Sequence, residues 1–340
     1  MARVTIRDVA REAGVSVATV DRVLNGRAGD ASRSARRVEE AIARLGYAPS
    51  ALHARVGGRP RRFVFLLPAG DNPFVAGLAA AVDRLGDWLP TGGVDYEVRH
   101  VDVFDGAGLA AVLDGLDREA LAGVALVALD HPMVREAVAR LAEASVPVVT
   151  LVSDLPGSRR AHYVGIDNIA AGRTAGALMG RFAPGRSGKV AVIGGSFALR
   201  DHGERLLGFR QVLAQDFPGL AVVEALEGRD DPETTRAATE ALFERHPDVA
   251  GIYSVGAGNA GLVEALERRD TAGLVVIAHE LTAENRAALV AGRLDAVINQ
   301  DCGHEIRSAA RVMQALVAGL PIAGPQERIR IDVFLRENLP

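Results

Sequence analysis

The chain has 340 residues, 49% hydrophobic and 24% charged, with a net charge of −4; this allows a large core plus a smaller unit and excludes a disordered chain. No run of about 18 apolar residues occurs, and the opening MARVTIRDVAREAG lacks the apolar centre of a secretory signal, so a cytoplasmic protein without membrane contact is expected. Cys302 is the single cysteine, which excludes an internal disulfide and a C-x-x-C metal site, and no metal or cofactor is expected.

Charge divides unevenly along the chain. Residues 1–62 carry 13 Arg against 6 Asp and Glu, a net of +7, leaving −11 for the rest. A basic head on an acidic body suggests that the head meets a polyanion, although Arg-rich helices are also often only solvated.

The head, residues 1–48, contains three short amphipathic helical patterns: Ile6, Val9, Ala10, Ala13; then Val20, Val23, Leu24; then Val38, Ala41, Ile42, Leu45. Gly14-Val15 separates the first two, and Ser16 is placed to cap the second. Ser32 is placed to cap the third helix, and Gly46 to end it. The reading is helix, tight turn, helix, with a third helix completing a small core. With Val20, Val23 and Leu24 inward, Val17, Ala18, Asp21, Arg22 and Asn25 share the outward face of the second helix. Such a face fits the major groove, where Arg bonds guanine O6 and N7 and Val or Ala meets a thymine methyl. Arg22 is the expected polar base contact. Thr5, Ser16, Thr19 and Ser32 are candidate phosphate contacts.

Residues 49–62, PSALHARVGGRPRR, form a linker with a conditional short helix, stopped by Gly57, Gly58 and Pro60. A segment this short needs a partner surface to fold as a helix.

From residue 63 the pattern changes to apolar runs of strand length at 63–68, 124–129, 146–151, 190–194, 249–253 and 274–278, separated by helical segments. Buried parallel strands with crossover helices follow, about eleven strands in all, too many for one ordinary sheet. Two doubly wound α/β lobes are therefore expected within 63–340: the first near 63–162 plus 302–325, the second near 163–300 plus 326–340. Ligands sit beyond the carboxyl ends of such strands, so two lobes facing each other there make a cleft.

The run T-I-R-D-V-A-R-E-A-G-V-S-V-A-T-V-D-R-V-L-N at 5–25, continued by G-Y-x-P-S at 46–50, resembles the head of the LacI-type (lactose-repressor) family of transcription regulators. The resemblance implies that Val17, Ala18 and Arg22 read bases. Asp21 departs from the family's usual Ser; it either pairs with a neighbouring Arg and orients it or accepts from cytosine N4. The resemblance also implies a linker that folds as a hinge helix on operator DNA and wedges a side chain into the minor groove, the place held here by Val56. A shorter β-branched wedge followed by two glycines suggests a weaker kink, and a plain tether is the alternative.

Residues 62–335 resemble the type 1 periplasmic sugar-binding proteins. Asn72 and Phe74 match first-lobe ligand contacts by that resemblance, Arg205 the second-lobe Arg before Gly-Phe, and Gln300 the cross-over amide. Glu280 stands where Asp is usual, His279 where an aromatic is usual, His131 at a further contact position, and Asp154 beside one. The Asn-Asp pair expected after the strand at 249–253 is replaced by Gly256-Ala257. A sugar or polyol effector follows. Other roles exist for the same residues: Asn72-Pro73 as a turn, Phe74 as core, Arg205 and Glu280 as an ion pair closing the lobes.

Two rival readings remain open at this level. Gly256-Ala-Gly258-Asn-Ala-Gly261 follows a strand and precedes a helix, with Glu280 19 residues beyond Gly261, the pattern of a dinucleotide-binding enzyme. No Ser-His-Asp set accompanies it. A transport binding protein would account for the body but not for the head. The reading that joins all parts is a non-enzymatic regulator, a repressor by the family's common mode. It would act as a homodimer, or as a dimer of dimers, on pseudo-palindromic operator DNA.

Overall fold

The computed structural model describes residues 5–24, 33–45, 55–56, 59–88 and 94–340. Three head helices come first: α1 (Ile6–Ala13), α2 (Val17–Leu24) and α3 (Arg33–Leu45). Thr5 caps α1 in a capping box, accepting from the Asp8 amide at 3.4 Å while the Asp8 carboxylate accepts from the Thr5 amide at 2.9 Å. Gly14 ends α1 in the left-handed conformation, φ 62°, and the Ser16 hydroxyl accepts from the Thr19 amide at 3.1 Å at the start of α2. The three apolar stripes bury one another as expected. Val9, Ala10, Ala13, Val20, Val38 and Ala41 are buried, with Ile6, Val23, Ile42 and Leu45 packed around them. Ser32 and Gly46 lie outside the described residues.

β1 (Arg55–Val56) pairs antiparallel with the start of β2 (Arg59–Pro68), Val56 opposite Arg59. The linker is therefore extended, not helical, at 55–56, and the sheet begins at Arg59, four residues before the expected boundary. Arg61 and Arg62 stay on β2 through polar partners at its rim: Arg61 donates to the Leu121 carbonyl, and Arg62 pairs with Glu97 at 2.8 Å. Part of the basic charge assigned to the head thus belongs to the body.

β2 is followed by α4 (Pro73–Asp83), α5 (Leu85–Trp88), β3 (Val94–Val101), α6 (Gly106–Asp114), β4 (Leu121–Leu126), α7 (Pro132–Glu143), β5 (Val148–Leu151) and β6 (His162–Val164). They build one parallel sheet, β3-β2-β4-β5-β6 in space. The second lobe runs α8 (Asn168–Phe182), β7 (Gly188–Gly194), α9 (Arg200–Asp216), β8 (Leu220–Glu227), α10 (Pro232–Arg245), β9 (Val249–Ser254), α11 (Asn259–Glu267), β10 (Val275–His279), α12 (Ala283–Val290) and β11 (Ala296–Asn299). α13 (Cys302–Ala318) crosses back to pack on β4, β5 and α4, and β12 (Asp332–Phe334) returns antiparallel beside β11. The second sheet is therefore β8-β7-β9-β10-β11-β12. β6 stays in the first sheet to Val164, two residues past the boundary expected at 162.

One apolar core runs through both lobes, from Phe63, Phe65 and Leu78 to Phe209, Tyr253 and Ile277, while separate clusters fill the outer faces under α6–α7 and α10–α12. Within the second lobe, α8 and α9 cross so closely that a methyl group at Gly172 would collide with the Arg205 carbonyl oxygen. Gly172→Ala is expected to lower stability by about 1–3 kcal/mol through overpacking, read as a lower urea midpoint. An unchanged midpoint would mean that the two helices separate freely.

Candidate functional site

A cleft of about 470 Å³ opens between the carboxyl ends of the two sheets, within the roughly 300–1,000 Å³ of small-molecule sites. It is lined from the loops after β2, β3, β5, β7, β8, β9, β10 and β11, as the open parallel topology dictates. Four of its lining residues, Val152, Arg229, Asp230 and Glu280, hold φ between 53° and 66°. Positive φ in non-glycine side chains, and in a β-branched Val above all, is strain of the kind that concentrates at binding sites.

Arg205 anchors the second-lobe wall from α9. Its Nε donates to Asn168 Oδ1 at 2.9 Å and an Nη1 to the Val255 carbonyl at 2.6 Å, while Nη2 is buried with no partner. Glu280 accepts from Gln300 Nε2 at 2.8 Å. Burial pushes its carboxyl up to about 7, against the pull of Arg205 and of the Gln300 bonds. His279 meets the Tyr253 hydroxyl through Nε2 at 2.7 Å, and burial holds its imidazole well below the usual range, hence neutral. Asp201 Oδ1, His279 Nδ1 and Gln300 Oε1 are, like Arg205 Nη2, buried and unpartnered. Buried polar atoms are normally satisfied, and these four sit in residues that line one cleft.

Of the expected ligand contacts, Arg205, His279, Glu280 and Gln300 lie together on the cleft wall, and Asn72 and Phe74 line it from the first lobe. Asn72 also caps α4, accepting from the Phe74 amide at 3.0 Å, so turn and cleft roles coincide. Arg205 and Glu280 form no direct ion pair within 4.0 Å: the guanidinium nitrogens that bond do so to neutral oxygens. Two expected contacts fall elsewhere. His131 caps α7, accepting from Met133 N at 3.3 Å, and its ring lies against Gly106 rather than in the cleft. Asp154 is held by Arg160 at 2.5 and 2.7 Å, by the Thr150 hydroxyl and by the Leu155 amide, which together use both carboxylate oxygens.

Several lining residues escaped the sequence reading. Asp201 lies one turn before Arg205 on α9, a spacing visible in the sequence. Its amide reaches the Ser153 hydroxyl of the first lobe at 3.5 Å. Phe104 and Arg229 come from opposite lobes, and the guanidinium sits 5.3 Å from the ring centroid, a cation–π contact across the cleft. No periodicity or motif marks either.

The glycine-rich turn at 256–261 also faces the cleft, but its glycines serve the chain's own packing. A methyl group at Gly261 would collide with the Pro232 carbonyl oxygen, and the Ala257 amide already donates to Asp230 Oδ1 at 2.8 Å. With Asp230 and Asp231 both at this turn, a pyrophosphate would meet like charge.

On the head, Ser16, Val17 and Ala18 are exposed at the start of α2 and Thr19 is half-buried. The Ser16 and Thr19 hydroxyls bond each other at 2.9 Å. Asp21 and Arg22 fall within α2, their side chains outside the described part, as are the side chain of Val56 and the whole of Asn25 and Ser32. Among the described residues no helix is long and apolar enough to cross a membrane.

Comparison with known proteins agrees with this geometry. Residues 63–321 match the periplasmic binding protein domain family, and residues 5–50 match the lacI family of bacterial regulatory proteins. The catabolite control protein A of Priestia megaterium is 41% identical over 83 residues, 24% of this chain and 25% of that protein. The ribose operon repressor of Halalkalibacterium halodurans is 28% identical over 259 residues, 74% of this chain and 71% of that one. The glucose-galactose binding protein GanP of Geobacillus stearothermophilus superposes with a TM-score of 0.74 at 22% identity, covering 82% of this chain and 99% of that one, which shows a common fold. The chain belongs to the periplasmic binding protein domain family over most of its length and carries, ahead of that domain, the DNA-binding domain of the lacI family of bacterial regulatory proteins.

Proposed function

We propose that the protein is a cytoplasmic, sequence-specific transcription regulator, a homodimeric repressor whose affinity for a pseudo-palindromic operator is set by a sugar or polyol bound in the cleft. The observation that carries the effector part is the set of buried unpartnered atoms, Asp201 Oδ1, Arg205 Nη2 and Gln300 Oε1, in residues of one cleft wall. They wait for a ligand rich in hydrogen-bonding groups, and Phe74 and Phe104 supply flat apolar surface for a ring. Ligand that bridges the lobes favours the closed arrangement and couples occupancy to the spacing of the two heads. The nucleotide-enzyme reading loses its footing in Asp230 and Asp231, which lie beside the turn at 256–261, the first accepting from the Ala257 amide.

Fluorescence anisotropy at fixed salt, on DNA from upstream of the gene against a scrambled duplex and with a panel of sugars, tests this reading. Salt is fixed because phosphate contacts alone imitate tight binding. The expected result is a preference of about a thousandfold for the native duplex, altered by one compound. Equal weak binding to both duplexes with every sugar sinks the reading. Within the same assay, Arg22→Ala is expected to cost about 1–3 kcal/mol at one base position and to relax specificity there. Equal loss on scrambled DNA would make Arg22 a phosphate contact instead.

A further inference from the structure

We propose that the effector is cationic, an amine-bearing hexose whose ammonium group is taken by Asp201 while a ring hydroxyl accepts from Arg205 Nη2. This rests on the reading of the cleft as the effector site and narrows it to a ligand class.

The first argument is the inventory of groups left open. In the cleft wall, Asp201 Oδ1 and Gln300 Oε1 are buried acceptors without donors, and Arg205 Nη2 is the buried donor without an acceptor, His279 Nδ1 taking either role by tautomer. The two open acceptors ask the ligand for donors. An ammonium offers three donors and no acceptor, whereas each hydroxyl adds a lone pair that also needs a partner.

The second argument is charge. Five carboxylates, Asp71, Asp201, Asp230, Asp231 and Glu284, line the cleft beside the Glu280 carboxyl that burial raises to about 7, against two guanidinium groups, Arg205 and Arg229. Arg229 lies over the Phe104 ring and Arg205 spends two nitrogens on Asn168 and Val255. Neither comes within 4.0 Å of Asp201; the basic side chain nearest its carboxyl among the described residues is His202, with Nε2 at 3.6 Å from Oδ2. Burial opposes ionisation of Asp201, yet His202, Arg205 and the Ser153 hydroxyl hold its carboxyl below the usual range, so it presents a full negative charge with one oxygen open. A cleft of one sign with low-dielectric walls concentrates the opposite charge, and a charge-assisted bond to a carboxylate is about twice as strong as a neutral one. Phe74 and Phe104 face the same space, which suits the apolar face of a hexose better than a flexible diamine.

The test is isothermal titration of the full chain at neutral pH with matched pairs: D-glucosamine and D-glucose, D-galactosamine and D-galactose, D-mannosamine and D-mannose, each with the uncharged N-acetyl derivative. One amine is expected to bind at least about tenfold tighter than its hydroxyl and N-acetyl counterparts. Asp201→Asn should reduce that preference to within about threefold. Because Asp201 is buried and its replacement also alters packing, wild-type protein supplies the second measurement: its affinity for the amine should fall as pH rises past the amine's own pKa. A hydroxyl member binding as tightly as its amine, or an affinity for the amine that ignores this pH change, overturns the proposal and leaves the sugar-sensor reading standing. Binding of no member overturns both.

Discussion

Arg205→Met is expected to cost about 2–6 kcal/mol of stability, about 1–3 for each buried oxygen it leaves without a donor, with a larger deficit at about pH 8 than at about pH 5. The side chain is 2% exposed and donates to Asn168 Oδ1 and the Val255 carbonyl. Methionine keeps an unbranched apolar stem but ends short of the guanidinium, and it leaves both oxygens without these donors. The pH dependence has a separate origin. Arg205 is the positive charge that draws down the carboxyl pKa values of Asp201, Glu280 and Glu305. Without it those values rise in the folded state and stay put in the unfolded chain. The folded variant then binds more protons than the unfolded one over a wider interval above the ordinary carboxyl range, and its stability falls as pH rises through that interval. Urea midpoints of wild type and variant at the two pH values check this. Equal deficits would mean that Arg205 acts through hydrogen bonds and packing alone, and Arg205→Lys, which keeps the charge but loses the fork, should then fare no better than Met.

The sequence exposed the parts of the fold that are buried on both sides. β2, β4, β5, β9 and β10 read as apolar runs because helices cover both faces of a central parallel strand. β3 and β8 did not, because each is an edge strand: VDYEVRHV and LAVVEALE keep one side half-exposed, and β8 is fully buried only at Leu220. The short β6, β11 and β12 were equally silent, having three or four residues each. The linker boundary failed for a related reason. Arg59, Arg61 and Arg62 look like a basic tail, yet all three lie on β2, and the charged ends of Arg61 and Arg62 find the Leu121 carbonyl and Glu97 at the sheet rim.

The site was legible where family-like positions coincide with strand ends, and illegible where side-chain direction decides. His131 and Asp154 both follow sheet strands and both are polar. One turned back to cap its own helix and the other into a bidentate pair with Arg160, and spacing along the chain does not distinguish those outcomes from a cleft contact. Phe104 and Arg229 meet across 125 residues of sequence, beyond the reach of any local pattern.

Glu280→Gln is expected to stabilise the ligand-free protein at about pH 8, by about 1–3 kcal/mol, and to leave it unchanged near pH 4.5. Burial raises this carboxyl from an unfolded value of 4.5 to about 7, with Asp201 pushing in the same direction and Arg205 and Gln300 opposing; Glu305, also buried, responds to its charge. Between those two values the folded state holds the proton that the unfolded chain has released. Stability contributed by the neutral form is complete below 4.5 and is lost as pH rises through 7, about 3 kcal/mol over the interval. Gln does not titrate and therefore removes the loss. The gain stays below the full amount because the variant amide sets a second donor against the Gln300 N–H, which reaches Glu280 Oε2 at 3.4 Å in the wild type. Melting temperatures across this pH range decide the matter. A gain of equal size at every pH would show that the Glu280 carboxyl does not change its pKa on folding, and a loss at pH 8 would show its charge balanced by Arg205 rather than stranded. A carboxylate kept at such cost, on a residue whose φ of 66° already strains the backbone, makes sense as a group that the ligand completes, so the variant that gains stability should lose effector response.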